Sequence, residues 1–391
     1  MARSLLGRLV GFDVDSCLVH CSNCGTVAHI VARANSPWDH ERASRTRSLP
    51  DRDIDKETTM KGWSSASRLA SATALATALL TAGLAAAALA ADKKVAISTI
   101  VEVPQLVETK EGVLRGLADR GLAPGKGITV EYQTANGNMP TQQQIAKKFV
   151  GEGADVIVAI TTPTAQAMVT ATKDIPIVFA SVTDPLKAKL VPQYKQPGGN
   201  VTGVSDAAPI AEQLKLFREL VPGLKKIGFV YNPGLDSSKA TLGWMQEQTK
   251  PLGIEVVESP APTTNEVIPA ARKLVGNVDA IYVPNDTTVV AALETIVKVG
   301  QETKTPVFTG ETRGVERGAV ASLGLDYIEV GRLAGHMAAD ILAGKKPGEI
   351  DAVIAYEKLP GFNVVLNKSA AESMGVTIPP ATLARATKVV N

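Results

Sequence analysis

Ala154-Asp-Val-Ile-Val-Ala-Ile-Thr-Thr-Pro-Thr-Ala-Gln-Ala-Met-Val169 is the stretch on which the reading of the chain turns. Val156 to Ile160 is an unbroken apolar run rich in β-branched residues, the pattern of a parallel strand buried on both faces. Thr161, Thr162 and Pro163 follow, then a helical pattern from Thr164 to Thr172. Hydroxyl residues at a cap and Pro in the first turn are helix-start signals. The stretch predicts a strand ending beneath a helix N-terminus whose free N–H groups face whatever lies above it. Such a terminus favours an anion by about 0.3–1 kcal/mol. An ordinary βα turn with a satisfied cap has the same pattern, so the weight falls on whether the arrangement recurs.

It recurs, together with its surroundings. Upstream, Lys93-Lys-Val-Ala-Ile-Ser-Thr-Ile100 reads as a strand, Pro104 opens an amphipathic helix, and Gly125-Lys-Gly127 turns into a strand from Ile128 to Tyr132. A helix from Asn138 to Phe149 leads to the opening stretch, and Pro176–Ala180 is the next strand. The series then restarts. Lys225-Lys-Ile-Gly-Phe-Val-Tyr-Asn-Pro233 echoes the first strand and Leu252-Gly-Ile-Glu-Val-Val257 the second. Val278-Asp-Ala-Ile-Tyr-Val-Pro-Asn-Asp286 echoes the opening stretch, and Thr305-Pro-Val-Phe-Thr309 echoes Ile175-Pro-Ile-Val-Phe179. Landmarks matched in one order indicate a duplicated unit. Strand–helix alternation with short connections implies right-handed βαβ units, hence an α/β fold of two Rossmann-like lobes with parallel sheets. The tail, with a strand at 318–323, a helix at 327–342 and a strand at 364–367, is too small for a third lobe and completes the first two.

The 391 residues carry a net charge of +2, which gives no pull toward nucleic acid or anionic lipid. Aromatic residues make up 4% and hydrophobic residues 45%, so the apolar bulk is Ala, Val, Leu and Ile, as in α/β cores. Met60 to Arg68 is a short basic segment, Leu69 to Leu89 is apolar, and Ala88-Leu-Ala90 is a small-x-small cleavage site. Residues 60–90 therefore read as a secretory signal peptide, with a periplasmic product, rather than a membrane anchor. Residues 1–59 lie upstream of that signal and are read as a disordered, non-native extension, with Met60 the true start. They hold all three cysteines, Cys17, Cys21 and Cys24, in the spacing of a radical-SAM iron–sulfur motif. No (β/α) barrel follows it and the export signal would separate it from the rest, so no cofactor is assigned.

With these motifs in view, the chain resembles the type I periplasmic binding proteins, and within them the ABC-transporter substrate-binding family of tryptophan- and tyrosine-type amino-acid binders. The residues that carry the resemblance are Ile100-Val-Glu102, Ala159 to Gln166, Phe179-Ala-Ser-Val-Thr-Asp-Pro185, Pro197-Gly-Gly-Asn-Val-Thr-Gly-Val-Ser-Asp206, Tyr231-Asn-Pro-Gly234, Tyr282-Val-Pro-Asn-Asp286 and Val315-Glu-Arg-Gly-Ala319. It covers Lys93 to about Pro380. The resemblance implies two lobes joined by three crossovers with the ligand between them. The crossovers are placed near 203–206, 317–319 and 345–348. Residues 91–204 with 319–346 then make an N-terminal lobe, and 205–318 with 347–391 a C-terminal one. The implied partners are a small-molecule ligand and an ABC permease with its ATPase, the membrane being met only through the permease. A periplasmic sensor feeding a signalling receptor is the alternative. A ligand-gated repressor is disfavoured by the export signal and by the lack of a helix-turn-helix ahead of Lys93.

Ligands bind beyond the carboxyl ends of parallel strands. That rule selects Glu102, Thr161, Thr162, Thr164, Ala165, Thr183, Asp184, Tyr231, Asn232, Asn285, Asp286, Thr287 and Glu311 as ligand-binding candidates. An α-amino acid needs N–H donors for its carboxylate and a carboxylate for its ammonium. The first is expected at Thr162–Ala165 and the second near Asp286, with Glu311 as a helper. The family pattern has Asp where Glu311 and Arg313 stand, and an Arg there would suit a guest with an extra acid group. Sugars are less suited, because Trp244 sits in a helix and only Tyr231 offers an aromatic ring at a strand end. No catalytic residue is assigned. His336 is the one histidine after residue 90, so no Ser-His-Asp set forms, and neither phosphate-loop motif nor His/Cys metal set is present there.

Overall fold

The apolar runs become the centres of two sheets. The computed structural model describes residues 92–391; the expectations for the extension 1–59, its cysteines and the signal 60–90 lie outside the described residues. The chain first lays down β1 (Lys93–Thr99), α1 (Pro104–Asp119), β2 (Ala123–Pro124), β3 (Gly127–Thr134), α2 (Met139–Gly151), β4 (Val156–Ile160), α3 (Thr162–Ala171), β5 (Ile177–Val182) and β6 (Val201–Ser205). It continues with α4 (Ile210–Leu220), β7 (Lys226–Tyr231), α5 (Asp236–Thr249), β8 (Glu255–Pro260), α6 (Val267–Leu274), β9 (Ala280–Val283), α7 (Thr287–Val290), α8 (Leu293–Thr303), β10 (Val307–Thr309), α9 (Arg313–Glu316) and β11 (Ala321–Gly324). The tail supplies α10 (Tyr327–Leu342), β12 (Val353–Ile354), β13 (Asn363–Asn367), α11 (Lys368–Ser373), α12 (Pro380–Ala384) and β14 (Lys388–Val390).

The first sheet runs β12-β6-β5-β4-β1-β3-β2 and the second β14-β13-β11-β10-β9-β7-β8. The segment β5-β4-β1-β3 thus has the same order as β10-β9-β7-β8, and these are the echoed stretches of the sequence. Pairing is parallel except between β11 and β13. Every residue of β4 and β5 is buried, as continuous apolar runs require. Successive β4 residues face opposite sides: Val158 and Ile160 pack with Leu106 and Val113 of α1, while Ile157 and Ala159 pack with Ala165 and Met168 of α3. In the second lobe Phe217 of α4 stacks on Phe308 of β10 with ring centroids 4.3 Å apart.

Two crossings differ from the expected positions. The chain does not leave the second lobe at 317–319, because β11 first pairs in parallel with β10, Phe308 against Ala321. It leaves at 325–326, where the Asp326 carboxylate accepts from the amides of Ile328 and Glu329 and starts α10. Nor does it cross at 345–348, because β12 pairs with β6 in the first sheet, Val353 against Val204. That crossing is at 355–362. The first crossing, at 206–209, directly follows β6, whose pairing with β5 keeps residues 203–205 in the first sheet.

The second crossing is anchored by helix contact at backbone distance. A Cβ on Gly112 of α1 would sit 2.0 Å from the Ile328 carbonyl oxygen, and one on Gly331 of α10 would sit 2.0 Å from that of Thr109. Gly116 and Gly335 repeat the arrangement one turn on. Small residues at this spacing let α10 lie directly on α1, so the returning helix belongs to the first lobe.

Candidate ligand-binding site

The C-terminal ends of both sheets face each other, and a small cavity lies between them. The first lobe lines it with Gln105 and Leu106 of α1, Thr161 to Pro163 at the start of α3, and Ser181 and Thr183 at the end of β5. The second contributes Ser237, Asn285, Asp286 and Thr287, while Asp206 and Tyr327 come from two of the crossings. These walls are almost wholly withdrawn from solvent, Asp206 being 4% and Tyr327 3% exposed. Polar groups so buried are normally paired. Here Gln105 Oε1, Thr162 Oγ1 and Asp206 Oδ1 have no protein partner.

Asp206 is held from one side only. Its Oδ2 accepts from Tyr327 Oη at 3.1 Å and from Asn285 Nδ2 at 3.3 Å, and Asn285 Nδ2 also donates to Tyr327 Oη at 2.7 Å. Burial raises the Asp206 carboxyl above the usual aspartate range, against the lowering effect of those bonds. The free Oδ1 is therefore an acceptor in a dry wall, and a cation beside it would favour the ionised form.

The start of α3 lines the same cavity. Thr161 occupies φ +88°, ψ +155°, a conformation that suits glycine and is costly for a β-branched residue. Ser181, at φ +52°, is a second positive-φ residue in the same wall. The Thr161 hydroxyl is spent on Thr164 Oγ1 at 3.0 Å, and no side chain caps the helix. With Pro163 lacking an N–H, the amides of Thr162 and Thr164 are the uncapped donors of the first turn.

The cavity therefore brings together unpaired polar atoms and an uncapped helix N-terminus, between duplicated lobes. A profile of the family described as "ABC transporter substrate binding protein" matches residues 94–390. The chain belongs to that family. It is 42% identical over 258 residues to the "Tyrosine-binding protein" of Clostridioides difficile (strain R20291), covering 66% of this chain and 75% of that protein. A "conserved domain protein" from Vibrio cholerae is 45% identical, with a TM-score of 0.74 over 76% of this chain and all of the other. The "ABC domain in complex with L-Trp" from Streptococcus pneumonia is 33% identical, with a TM-score of 0.73 over 77% of this chain and 100% of that one. The fold is accordingly that of the type I periplasmic binding proteins.

Within this substrate-binding protein the strand-end residues separate into distinct groups. Thr161, Thr162, Thr183, Asn285, Asp286 and Thr287 line the cavity. Thr164 and Ala165 lie buried behind the helix start. Asp286 differs from its expected use. Its Oδ1 accepts from the amides of Thr288 and Val289 at 2.8 and 3.0 Å, and its Oδ2 from Asn232 N and Ser238 Oγ, each at 2.6 Å. Those bonds fill its acceptor positions, so it organises the second lobe's loops and leaves nothing for an ammonium.

Glu311 is also set apart. It does not line the cavity; its Oε2 accepts from Gly314 N at 3.0 Å, and burial pushes its carboxyl up to about 7. Asp184 caps the turn at Leu186 and Lys187. Glu102 accepts from Tyr132 Oη, and Tyr231, buried at the core edge, donates to Glu258 at 2.7 Å. Asn232 bonds Thr288 and lines an adjoining chamber. The Arg313 guanidinium is engaged by Glu108 and Glu316 outside the cavity, so it offers no counter-charge for an extra acid group. His336 bonds Asp119 at 2.7 Å on the far side of α10.

The strand-end rule, which reaches Ser181 in the loop 181–184, did not select Gln105, Leu106, Asp206, Ser237 and Tyr327. Asp206 and Tyr327 each follow a strand, β6 and β11, and were within reach of the same rule. Gln105 and Ser237 sit in first turns of helices, where polar residues are commonplace and carry no signal. Among the described residues no helix is long and apolar enough to cross a membrane.

Proposed function

We propose that this protein is the exported receptor of an ABC importer and captures an α-amino acid, aromatic or branched, between its lobes. The ammonium sits at Asp206 Oδ1 with Gln105 Oε1, and the carboxylate at the uncapped amides of Thr162 and Thr164. The observation that carries the reading is the buried, half-paired Asp206 in one cavity with an uncapped helix N-terminus. An ammonium is the group that satisfies lone acceptors, and a carboxylate the group that satisfies free amides. An adjoining, partly open pocket shares Pro163 and Thr287 with the cavity and includes Ile100, Val101, Met139 and Leu235 in its wall, which suits an apolar side chain. The amino-acid ligands named for two relatives point the same way. Export through residues 60–90 and delivery to a permease with its ATPase complete the proposal. Ligand binding shifts a hinge equilibrium that exists without it.

The test is a calorimetric titration of the amino acids against wild type and Asp206→Asn. Wild type should bind at least one aromatic or branched amino acid near micromolar. The variant keeps shape but loses charge, and should bind the same compound about 10- to 100-fold more weakly. Binding unchanged in the variant removes Asp206 from the site, and no binding of any amino acid removes the ligand class.

A further inference from the structure

Gln142 is the one polar side chain on the buried stripe of α2, beside Ile145, Ala146 and Phe149. Asn138 sets that register, its Oδ1 accepting from the Thr141 amide at 2.9 Å. A fully buried amide needs partners, and Gln142 finds them in two other elements. Its Nε2 donates to Ser98 Oγ of β1 at 3.0 Å, and its Oε1 accepts from Thr164 Oγ1 of α3 at 3.4 Å. Thr164 Oγ1 is in turn 3.0 Å from Thr161 Oγ1. Ser98, Gln142 and Thr164 are 0% exposed, and only Thr161 among these residues lines the cavity. The chain crosses a layer otherwise made of apolar side chains such as Ala96, Ile157 and Met168.

We infer that Gln142 is a positioning residue for the anion-binding turn of α3, acting through Thr164 and Thr161. The inference rests on the reading that a ligand carboxylate meets the amides of Thr162 and Thr164. An amide oxygen only accepts, so Thr164 gives its proton to Gln142 and takes one from Thr161. The Thr161 hydroxyl is thereby tied to the layer behind it, while its backbone holds φ +88° and ψ +155°. Rotation about that ψ swings the 161–162 peptide plane, so it sets where the Thr162 N–H points. Backbone in this region persists only where its surroundings over-determine it. The Thr161 N–H donates to the Ala180 carbonyl and its own carbonyl accepts from Ala165 N, each at 3.0 Å, and the hydroxyl chain supplies the remaining hold. The second lobe lacks this arrangement: Asp286 stands in the place of Thr162 in the sequence echo and closes the matched helix start with its own carboxylate. A buried polar chain among apolar neighbours fixes orientation more than it adds stability, since apolar groups of the same shape replace it at little cost. That property separates positioning from packing.

The experiment uses the full chain and titrates the aromatic and branched L-amino acids, and the α-carboxamide of each, by calorimetry at about pH 6, where the α-ammonium is charged. Weak binders are measured by displacement of a tighter one. The carboxamides lack the carboxylate and keep the rest of the molecule. The variants are Gln142→Met, Thr164→Val and both together, which keep side-chain shape and delete the bonds. Each single variant should weaken the amino acid roughly five- to tenfold and its carboxamide less than about twofold. The pair together should be no weaker than the weaker single, because both cut one chain. A defect of packing would weaken acid and carboxamide by the same factor. Unchanged affinity for the acid, equal losses for the two compounds, or a pair at the product of the singles overturns the inference and leaves the carboxylate reading in place. Wild type that binds none of the amino acids, or binds acid and carboxamide equally, overturns that reading and this inference with it. Should Gln142→Met not fold, Thr164→Val and Ser98→Ala face the same criteria, the latter with a fall of roughly twofold.

Discussion

Replacing Glu311 by Gln should change how stability depends on pH more than stability itself. The Glu311 carboxyl is fully buried, accepts one amide bond from Gly314, and titrates at about 7 against an ordinary value of 4.5. The folded chain thus binds this proton about 300-fold more tightly than the unfolded chain, or about 3 kcal/mol at 1.36 kcal/mol per factor of ten. The sign follows from which state holds the proton. Between 4.5 and 7 the folded state is protonated and the unfolded state is not, so stability falls as pH rises through that window. Below 4.5 both states are protonated and the contribution is complete; above about 7 it is gone. The substituted amide keeps an acceptor for Gly314 N–H and cannot ionise. Urea unfolding of both proteins at about pH 4.5 and about pH 8 isolates the effect, because every other titrating group is shared. Wild type should lose about 3 kcal/mol relative to Glu311→Gln on going from the lower to the higher pH. A stability gap equal at both values would refute the argument that burial governs this carboxyl.

Gly331→Ala should destabilise by about 3 kcal/mol in denaturant titration, because its Cβ would lie 2.0 Å from the Thr109 carbonyl oxygen and force α10 off α1. Thr161→Gly removes a strained backbone conformation and should raise stability by about 1 kcal/mol by calorimetry, while weakening any ligand that uses the α3 amides. Asp286→Ala strips partners from two amides of α7, from Asn232 N and from Ser238, and should cost about 3 kcal/mol in urea unfolding. Under the assignment to Asp206, that loss exceeds any direct effect of Asp286 on an ammonium.

Asp206 and Asp286 show why the site was only partly legible. Both are aspartates at strand ends, and the strand-end rule alone does not tell them apart. Asp286 is followed by residues that turn into α7, so its carboxylate caps that helix and gathers Asn232 and Ser238 from other loops. Asp206 precedes an extended crossing with no helix to cap until Ile210, so one oxygen stays free. Tyr231 and Tyr327 divide in the same manner, one bonded outward to Glu258 and the other inward to Asp206.

Local pattern alone determined the fold class, the duplication and the loops that could carry a ligand. Those properties follow from hydrophobic period and turn chemistry, which a chain displays residue by residue. Tertiary structure decided where the chain changes lobes, since β12 is two residues long and is defined by pairing with β6, about 150 positions earlier. It also decided which acid is spent on the protein's own amides and which keeps an oxygen free. A carboxylate has few lone pairs, and only the folded neighbourhood shows whether they are already taken.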